Sequence, residues 1–286
     1  MKKECLHYLE HCMLCPRKCG INRLNGMRGY CMIGKNVKVS AYNIHFGEEP
    51  PISGVSGSGT IFFAGCNLRC VFCQNYPISQ LNNGNEISIC NLSDIMIELQ
   101  DRGAHNINFV TPTHVIPQII SAISGAREKG LNIPIVYNSG GYESVESLKL
   151  LEGMVDIYMP DIKYSDDNMA EKYSGAPGYW NIAKEAVKEM YRQVGTLKIQ
   201  NGIAERGLLI RHLVLPDDIA GSKKVFEFLC EHISAKTYVS IMAQYHPANK
   251  SSLYPEIDRK IDAEEYEKVI EYADGLGLCN GWRQDF

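Results

Sequence analysis

Apolar and polar positions change period repeatedly along the chain, and each change predicts an element. Residues 60–64 (Thr-Ile-Phe-Phe-Ala) are a short, β-prone apolar run that reads as a buried strand. Further on, two-residue and helical periods alternate. Residues 92–100 have helical spacing with Ser93 placed to cap their start, 106–110 read as a strand and 115–129 as a helix. The pattern continues with strand 133–138, helix 143–152, strand 155–159 and helix 181–194. It closes with strand 208–215, helix 222–233, strand 238–242 and helix 263–275. With 60–64 counted first these are six β/α units, which predict an α/β fold with a parallel sheet, in the form of a partial (β/α)6 TIM-like barrel. Residues 41–59, ending in a Gly/Ser-rich run, read as a flexible connection carrying His45, Glu48 and Glu49.

In a parallel barrel, chemistry gathers at the C-terminal strand ends. All six predicted strands finish there in polar or metal-binding residues: Cys66 to Cys73, Thr111 to His114, Asn138 to Gly141, Asp161 to Lys163, Arg211 with His212, and Gln244 to His246. Together they predict one shared site.

The cysteines say what kind of site. Cys66, Cys70 and Cys73 follow the first strand in the spacing C-x3-C-x2-C. Three thiolates on one loop hold three corners of a [4Fe–4S] cluster and leave one iron open, although a zinc knuckle uses the same residue type. Upstream, Cys12, Cys15, Cys19 and Cys31 form C-x2-C-x3-C-x11-C, enough for a closed zinc site or a second, fully ligated cluster. Cys90, Cys230 and Cys279 are scattered and read as ordinary residues.

Composition narrows the class. A chain of 286 residues with 45% hydrophobic content can bury one large core. No apolar run approaches the ~18 residues of a membrane span, and the start lacks a signal segment. Eleven cysteines in two tight groups point to metal in a reducing compartment, so a soluble, cytoplasmic protein is expected. Net charge is −4, yet residues 1–38 hold eight basic against two acidic side chains. That bias is either a nucleic-acid footprint or an offset to nearby thiolates. No G-x-x-x-x-G-K-[ST] loop is present, so ATP hydrolysis is not indicated. Three segments are expected: a cysteine-rich metal-binding extension with linker (1–52), the barrel (53–250) and a C-terminal helix and tail packing on it (251–286).

The C-x3-C-x2-C loop, with Phe72 before its last cysteine, resembles the signature of radical S-adenosylmethionine (SAM) enzymes. The stretches Cys15-Pro16-Arg17-Lys18-Cys19, Gly47 to Gly54, Asn106 to His114, Tyr137 to Tyr142, Asp156 to Tyr164 and Arg211 to Pro216 are similar to PflX-type relatives of the pyruvate formate-lyase activating enzyme. The resemblance implies a radical SAM barrel. In it Cys66, Cys70 and Cys73 ligate a [4Fe–4S] cluster whose open iron chelates SAM, and reductive cleavage gives a 5′-deoxyadenosyl radical that abstracts hydrogen. It implies Phe72 beside the adenine, Asn138, Asp161 and Lys163 holding SAM, and Arg211 as a further SAM or substrate contact. Where many such proteins carry Gly-Gly-Glu-Pro, this chain has Thr111-Pro112-Thr113-His114, so Thr111 or Thr113 stands in as partner of the SAM amino group. An electron donor such as flavodoxin or ferredoxin is implied. The resemblance puts activation of a glycyl-radical enzyme first as the reaction, with modification of RNA or radical chemistry on a small metabolite or peptide as alternatives and an iron–sulfur electron carrier as the non-enzymatic one. Known activases with extra clusters carry them after the radical motif, whereas this cysteine set precedes it.

Overall fold

The structure, a computed structural model, describes residues 3–285, so the outermost residues of the 1–52 and 251–286 segments lie outside it. After a 3₁₀ turn at Lys3–Leu9 and the cysteine-bearing turns come β1 (Val37–His45), α1 (Pro50–Ser53) and β2 (Ser58–Phe63). Then follow α2 (Tyr76–Ser79), β3 (Asn85–Ile87), α3 (Ile89–Asp101), β4 (Ile107–Val110) and α4 (Ile116–Glu128). The next units are β5 (Ile135–Ser139), α5 (Val145–Lys149), β6 (Ile157–Pro160), α6 (Asp167–Ser174) and α7 (Tyr179–Val194). The chain ends with β7 (Lys198–Gln200), β8 (Ile203–Leu213), α8 (Ser222–His232), β9 (Tyr238–Met242), α9 (Ala263–Gly275) and β10 (Gly281–Arg283).

The strand order is β10-β9-β8-β6-β5-β4-β2-β1-β3, with β7 attached to β8. From β2 to β10 along this order every neighbouring pair is parallel. The six predicted strands are all present, and the fold is the expected partial barrel.

Several expectations are corrected. Residues 41–59 are not a flexible connection. β1 pairs antiparallel with β2 and β3, and α1 follows it. The glycines here serve close approach: a Cβ on Gly59 would stand 2.8 Å from the Asn106 carbonyl oxygen, and Gly57 has φ +81°. Ser93 is inside α3, where its hydroxyl donates to the Ile89 and Ala122 carbonyls; the cap is Ser88, which accepts from Asn91 N–H. Helix α6 was missed because its apolar stripe is thin, although Asp166 caps it and Gly175 ends it in the left-handed conformation. The β7–β8 hairpin was also missed; Asn201 and Gly202, with φ +52° and +82°, are its turn.

Strand parity decides what the barrel holds. Ile107, Phe109, Ile135, Tyr137, Tyr158, Leu208 and Ile210 point outward into the layer shared with the helices. The alternate positions point inward. Val136, Ile157, Met159, Leu209 and Tyr238 form a separate apolar cluster, and Ile52 of α1 sits among them, fully buried. Helix α1 therefore plugs the lumen from one end. Two residues further along the same parity, toward the C-terminal strand ends, come Asn138, Asp161 and Arg211.

Candidate active site

Above the plug lies a cavity of about 480 Å³ lined by Cys66, Cys70, Cys73, Thr111, Asn138, Asp161, Lys163 and Arg211. The structure thus brings eight of the predicted site residues to one place.

The cysteine loop is fixed from several sides. Cys66 Sγ accepts the Leu68 N–H at 3.3 Å, and Cys70 Sγ accepts the Ser174 hydroxyl at 3.0 Å. Asn67 donates to the Tyr142 carbonyl at 2.6 Å, and Arg69 donates to the carbonyls of Cys66 and Leu68. Burial pushes the Cys66 thiol up to about 12 and raises Cys70, a shift that the positive charge of Lys163 opposes. Neutral thiols are thus favoured until something electropositive binds them. The donor set is soft, lines one cavity and is three in number, which fits a cluster with one open iron.

Asp161 and Lys163 project from the end of β6 and pair at 2.5 Å. Burial pushes the Asp161 carboxyl up, but Lys163 and Arg211 outweigh it and hold the group below its usual range. Tyr179 fixes the register of this end: its hydroxyl accepts from Lys163 N–H at 2.9 Å and donates to the Gly140 carbonyl at 2.9 Å.

Arg211 stands in the middle of three carboxylates. Its guanidinium lies 3.2 Å from Glu48, 3.5 Å from Glu49 and 3.2 Å from Asp161. Glu48 also accepts from Asn108 Nδ2 at 2.9 Å. Burial drives the Glu48 carboxyl up to about 7 despite Arg211. Glu48 and Glu49, expected on a flexible connection, precede the proline start of α1 and both turn inward.

Two predicted residues are placed elsewhere. Thr113 is buried and its hydroxyl donates to Glu143 at 2.5 Å, so it does not face the cavity. Only Thr111 does, and it holds a left-handed φ of +59° to get there. The Phe72 ring is buried edge-to-face against Tyr245 at 5.6 Å, in the apolar layer behind the loop. Glu143 itself was missed by sequence reading: fully enclosed, it also accepts from Tyr137 at 3.1 Å and is raised to about 7 by burial. Trp282, on β10, reaches the cavity wall.

Cys12, Cys15, Cys19 and Cys31 line a second, small cavity together with Arg23 and His114. Cys15 and Cys31 each accept a backbone N–H two residues ahead, from Arg17 and Ile33, as Cys66 does from Leu68. Arg23 is 1% exposed and donates to the carbonyls of Gly34 and His114, with Cys12 Sγ 3.8 Å away. Among the described residues it has no carboxylate partner. The His114 Nε2 donates to the Ala64 carbonyl at 2.9 Å, just ahead of the Cys66 loop, and burial lowers this imidazole to about 3. His114 therefore ties the wall of the small cavity to the residue two positions ahead of Cys66. Among the described residues no three His, Cys, Asp or Glu side chains are gathered about a single-ion position, and no helix is long and apolar enough to cross a membrane.

Residues 60–203 match the Radical SAM superfamily. The chain is 33% identical over 279 residues to MJ0674, an uncharacterized protein of Methanocaldococcus jannaschii, covering 94% of this chain and 76% of that one. MJ0808, an uncharacterized protein of the same organism, is 28% identical over 173 residues, 54% of this chain and 50% of the other. Among solved structures, the FeFe-hydrogenase maturase HydG from Carboxydothermus hydrogenoformans has a TM-score of 0.51 at 13% identity, covering 77% of this chain and 52% of HydG. The chain thus spans about half of HydG's length, and the likeness is one of fold.

Proposed function

The chain belongs to the radical SAM superfamily, and on that premise we propose that it abstracts hydrogen from a small, charged metabolite or peptide held in the barrel lumen. The family implies a [4Fe–4S] cluster and SAM, and the Cys66, Cys70 and Cys73 thiols, clustered on one wall of the cavity, fit the cluster. When bound, these groups supply an electron and a 5′-deoxyadenosyl radical; the protein supplies position and exclusion of water.

Asn138, Asp161 and Lys163 would hold SAM, with Thr111 as partner of its amino group. Lys163 would keep a positive charge beside the Cys70 thiolate while its carboxylate partner orients it. Arg211 belongs to the lumen floor beneath. Phe72 would act through packing behind the loop.

The observation that carries the substrate reading is the charged floor made by Glu48, Glu49, Asp161 and Arg211. Motif similarity to PflX-type proteins favours activation of a glycyl-radical enzyme, but a glycine backbone offers no charge for such a floor. RNA modification draws on the basic N-terminal segment, yet Arg17 and Arg23 are turned inward, Arg17 donating to the Asn67 carbonyl at 2.9 Å.

Cys12, Cys15, Cys19 and Cys31 are proposed to hold a second metal group, zinc or iron–sulfur. The support is Arg23: a buried cation without a carboxylate calls for an anion, and metal-bound thiolates provide one.

Anaerobic reconstitution with iron and sulfide, then dithionite and SAM, should yield 5′-deoxyadenosine, and Cys66→Ala, Cys70→Ala or Cys73→Ala should abolish it. Stimulation by the low-molecular-weight fraction of host extract is expected. Stimulation confined to the macromolecular fraction would overturn the substrate reading, with RNase sensitivity separating RNA from protein. Metal analysis of a variant lacking Cys66, Cys70 and Cys73 reads the N-terminal site; finding neither zinc nor iron there would refute it.

A further inference from the structure

Eight buried side-chain polar atoms among the described residues have no hydrogen-bond partner, and five of them lie on the lumen side of the barrel. They are Glu49 Oε2, Asp161 Oδ1, Asn108 Oδ1, Ser240 Oγ and Arg211 Nε. All belong to the barrel lumen by strand parity or by their contact with Arg211. Folded proteins leave few buried polar groups unpaired, so such a concentration marks a place where a ligand supplies the partners.

The kind of partner follows from the atoms. Glu49 Oε2 is a carboxylate oxygen that can only accept; Asp161 Oδ1 is another, but it already faces the Arg211 guanidinium as its ion-pair partner. Asn108 Oδ1 is also an acceptor, because its amide nitrogen is committed to Glu48 at 2.9 Å. The Ser240 hydroxyl can do either. Arg211 Nε is the lone obligate donor and already lies 3.2 Å from Asp161 and 3.5 Å from Glu49. What is missing is a group rich in N–H donors.

Charge gives the same answer. The cavity wall carries the carboxylates of Glu48, Glu49 and Asp161 against the cations Lys163 and Arg211, so one negative charge is unmatched. His45 is the remaining titratable group on the wall apart from the cysteines. The cluster and SAM do not supply the missing cation, since an anionic three-thiolate cluster and a sulfonium offset each other. An uncompensated buried carboxylate is costly and is otherwise relieved by taking up a proton. The upward displacement of Glu48 to about 7 is consistent with a floor waiting for a cation.

We propose that Glu48 and Glu49 form the recognition site for a primary ammonium group of the substrate, with Glu49 Oε2 and Asn108 Oδ1 accepting its N–H groups. This rests on the proposed function above and narrows it to amines. Arg211 then has a positioning role: it holds the glutamates apart from Asp161 and fixes which oxygens stay free.

The test uses the full chain, reconstituted and saturated with SAM, titrated calorimetrically with n-butylammonium chloride and with n-butanol as its neutral counterpart. Saturable binding of n-butylammonium and none of n-butanol is expected, with affinity falling about tenfold or more in Glu49→Gln. Carboxyl-labelled glutamate in the unmutated protein gives a second reading by NMR: two glutamate signals should move with n-butylammonium and not with n-butanol. Equal behaviour of the two probes, equal affinity in Glu49→Gln, or no saturable binding would overturn the proposal. So would a comparable loss of SAM affinity in Glu49→Gln, which would give the carboxylates to SAM. SAM binding to the unmutated protein is measured first; its absence would refute the radical SAM site itself and is thereby told apart from failure of the amine site.

Discussion

The Arg17 guanidinium lies 3.8 Å from the centre of the Tyr30 ring, and Arg69 covers the same ring at 4.4 Å. Tyr30 is thus clasped between a cation of the N-terminal segment and one of the Cys66–Cys73 loop. Arg17 also donates to the Asn67 carbonyl at 2.9 Å and to the carbonyl of Gly175, whose neighbour Ser174 meets Cys70. The N-terminal cysteine segment therefore acts as a brace on the cluster loop.

Replacing Arg17 by Ala should remove the ring contact and two hydrogen bonds, a loss of about 2–4 kcal/mol. A lower thermal midpoint and slower iron incorporation at the Cys66 site are expected. Arg17→Lys should recover little, because an ammonium cannot cover the ring and reach both carbonyls with one planar fork. An unchanged midpoint in Arg17→Ala would rule out the brace.

Glu143 contributes a fall in stability as pH rises, in the same direction as Glu48 and against the buried imidazoles of His114 and His212. Burial raises the Glu143 carboxyl from 4.5 to about 7, so the folded state binds a proton that the unfolded state has released between those values. The contribution is fully present below about pH 4.5 and lost as pH rises through about 7, roughly 3 kcal/mol by linkage. Glu143→Gln keeps an acceptor for one of the two hydroxyls that meet Glu143, Thr113 or Tyr137, presents an N–H donor to the other as the protonated carboxyl presents its O–H, and cannot ionise. Between pH 5 and pH 8 its denaturant midpoint should therefore decline less than that of the unmutated protein. Parallel curves would exclude Glu143 as a source.

Much of this was legible beforehand, for a physical reason. Strand period and strand-end chemistry are local, so the six strands and the convergence of Asn138, Asp161, Lys163 and Arg211 could be read from pattern. What could not be read depends on close approach. Gly57 and Gly59 look like a flexible run but let β2 lie against neighbouring backbone. Glu48 and Glu49 look solvated because nothing local says that Ile52, three residues on, belongs in the lumen. Thr113 and Phe72 were assigned to the cavity by motif position, and packing against Glu143 and Tyr245 turns them away.

Thr111 pays for its place with backbone strain. A β-branched residue at φ +59° is unfavourable by about 1–3 kcal/mol. Thr111→Gly should therefore raise the unfolding midpoint while lowering SAM affinity, since the hydroxyl at the cavity wall is gone. Thr113→Ala should do the reverse: it should destabilise the fold by leaving Glu143 short of a donor, and leave SAM affinity nearly unchanged. Equal effects of both substitutions on SAM binding would contradict the placement of the two hydroxyls.

The buried Arg23 allows the second metal group to be tested through stability alone. With thiolates bound to metal, the guanidinium faces negative charge across its 3.8 Å approach to Cys12. Once the metal is removed, burial drives Cys15 and Cys31 to the neutral thiol. Arg23 then stays enclosed with carbonyls only, and no counter-charge. Stripping the metal should consequently destabilise the unmutated protein by about 3 kcal/mol or more beyond its effect on Arg23→Met, in which there is no cation to strand. The comparison requires four unfolding curves, each protein with and without chelator treatment, in the variant lacking Cys66, Cys70 and Cys73 so that only the N-terminal site contributes. If chelation lowers both proteins equally, Arg23 is not balanced by metal-bound thiolates, and the four cysteines lose the electrostatic argument for binding metal.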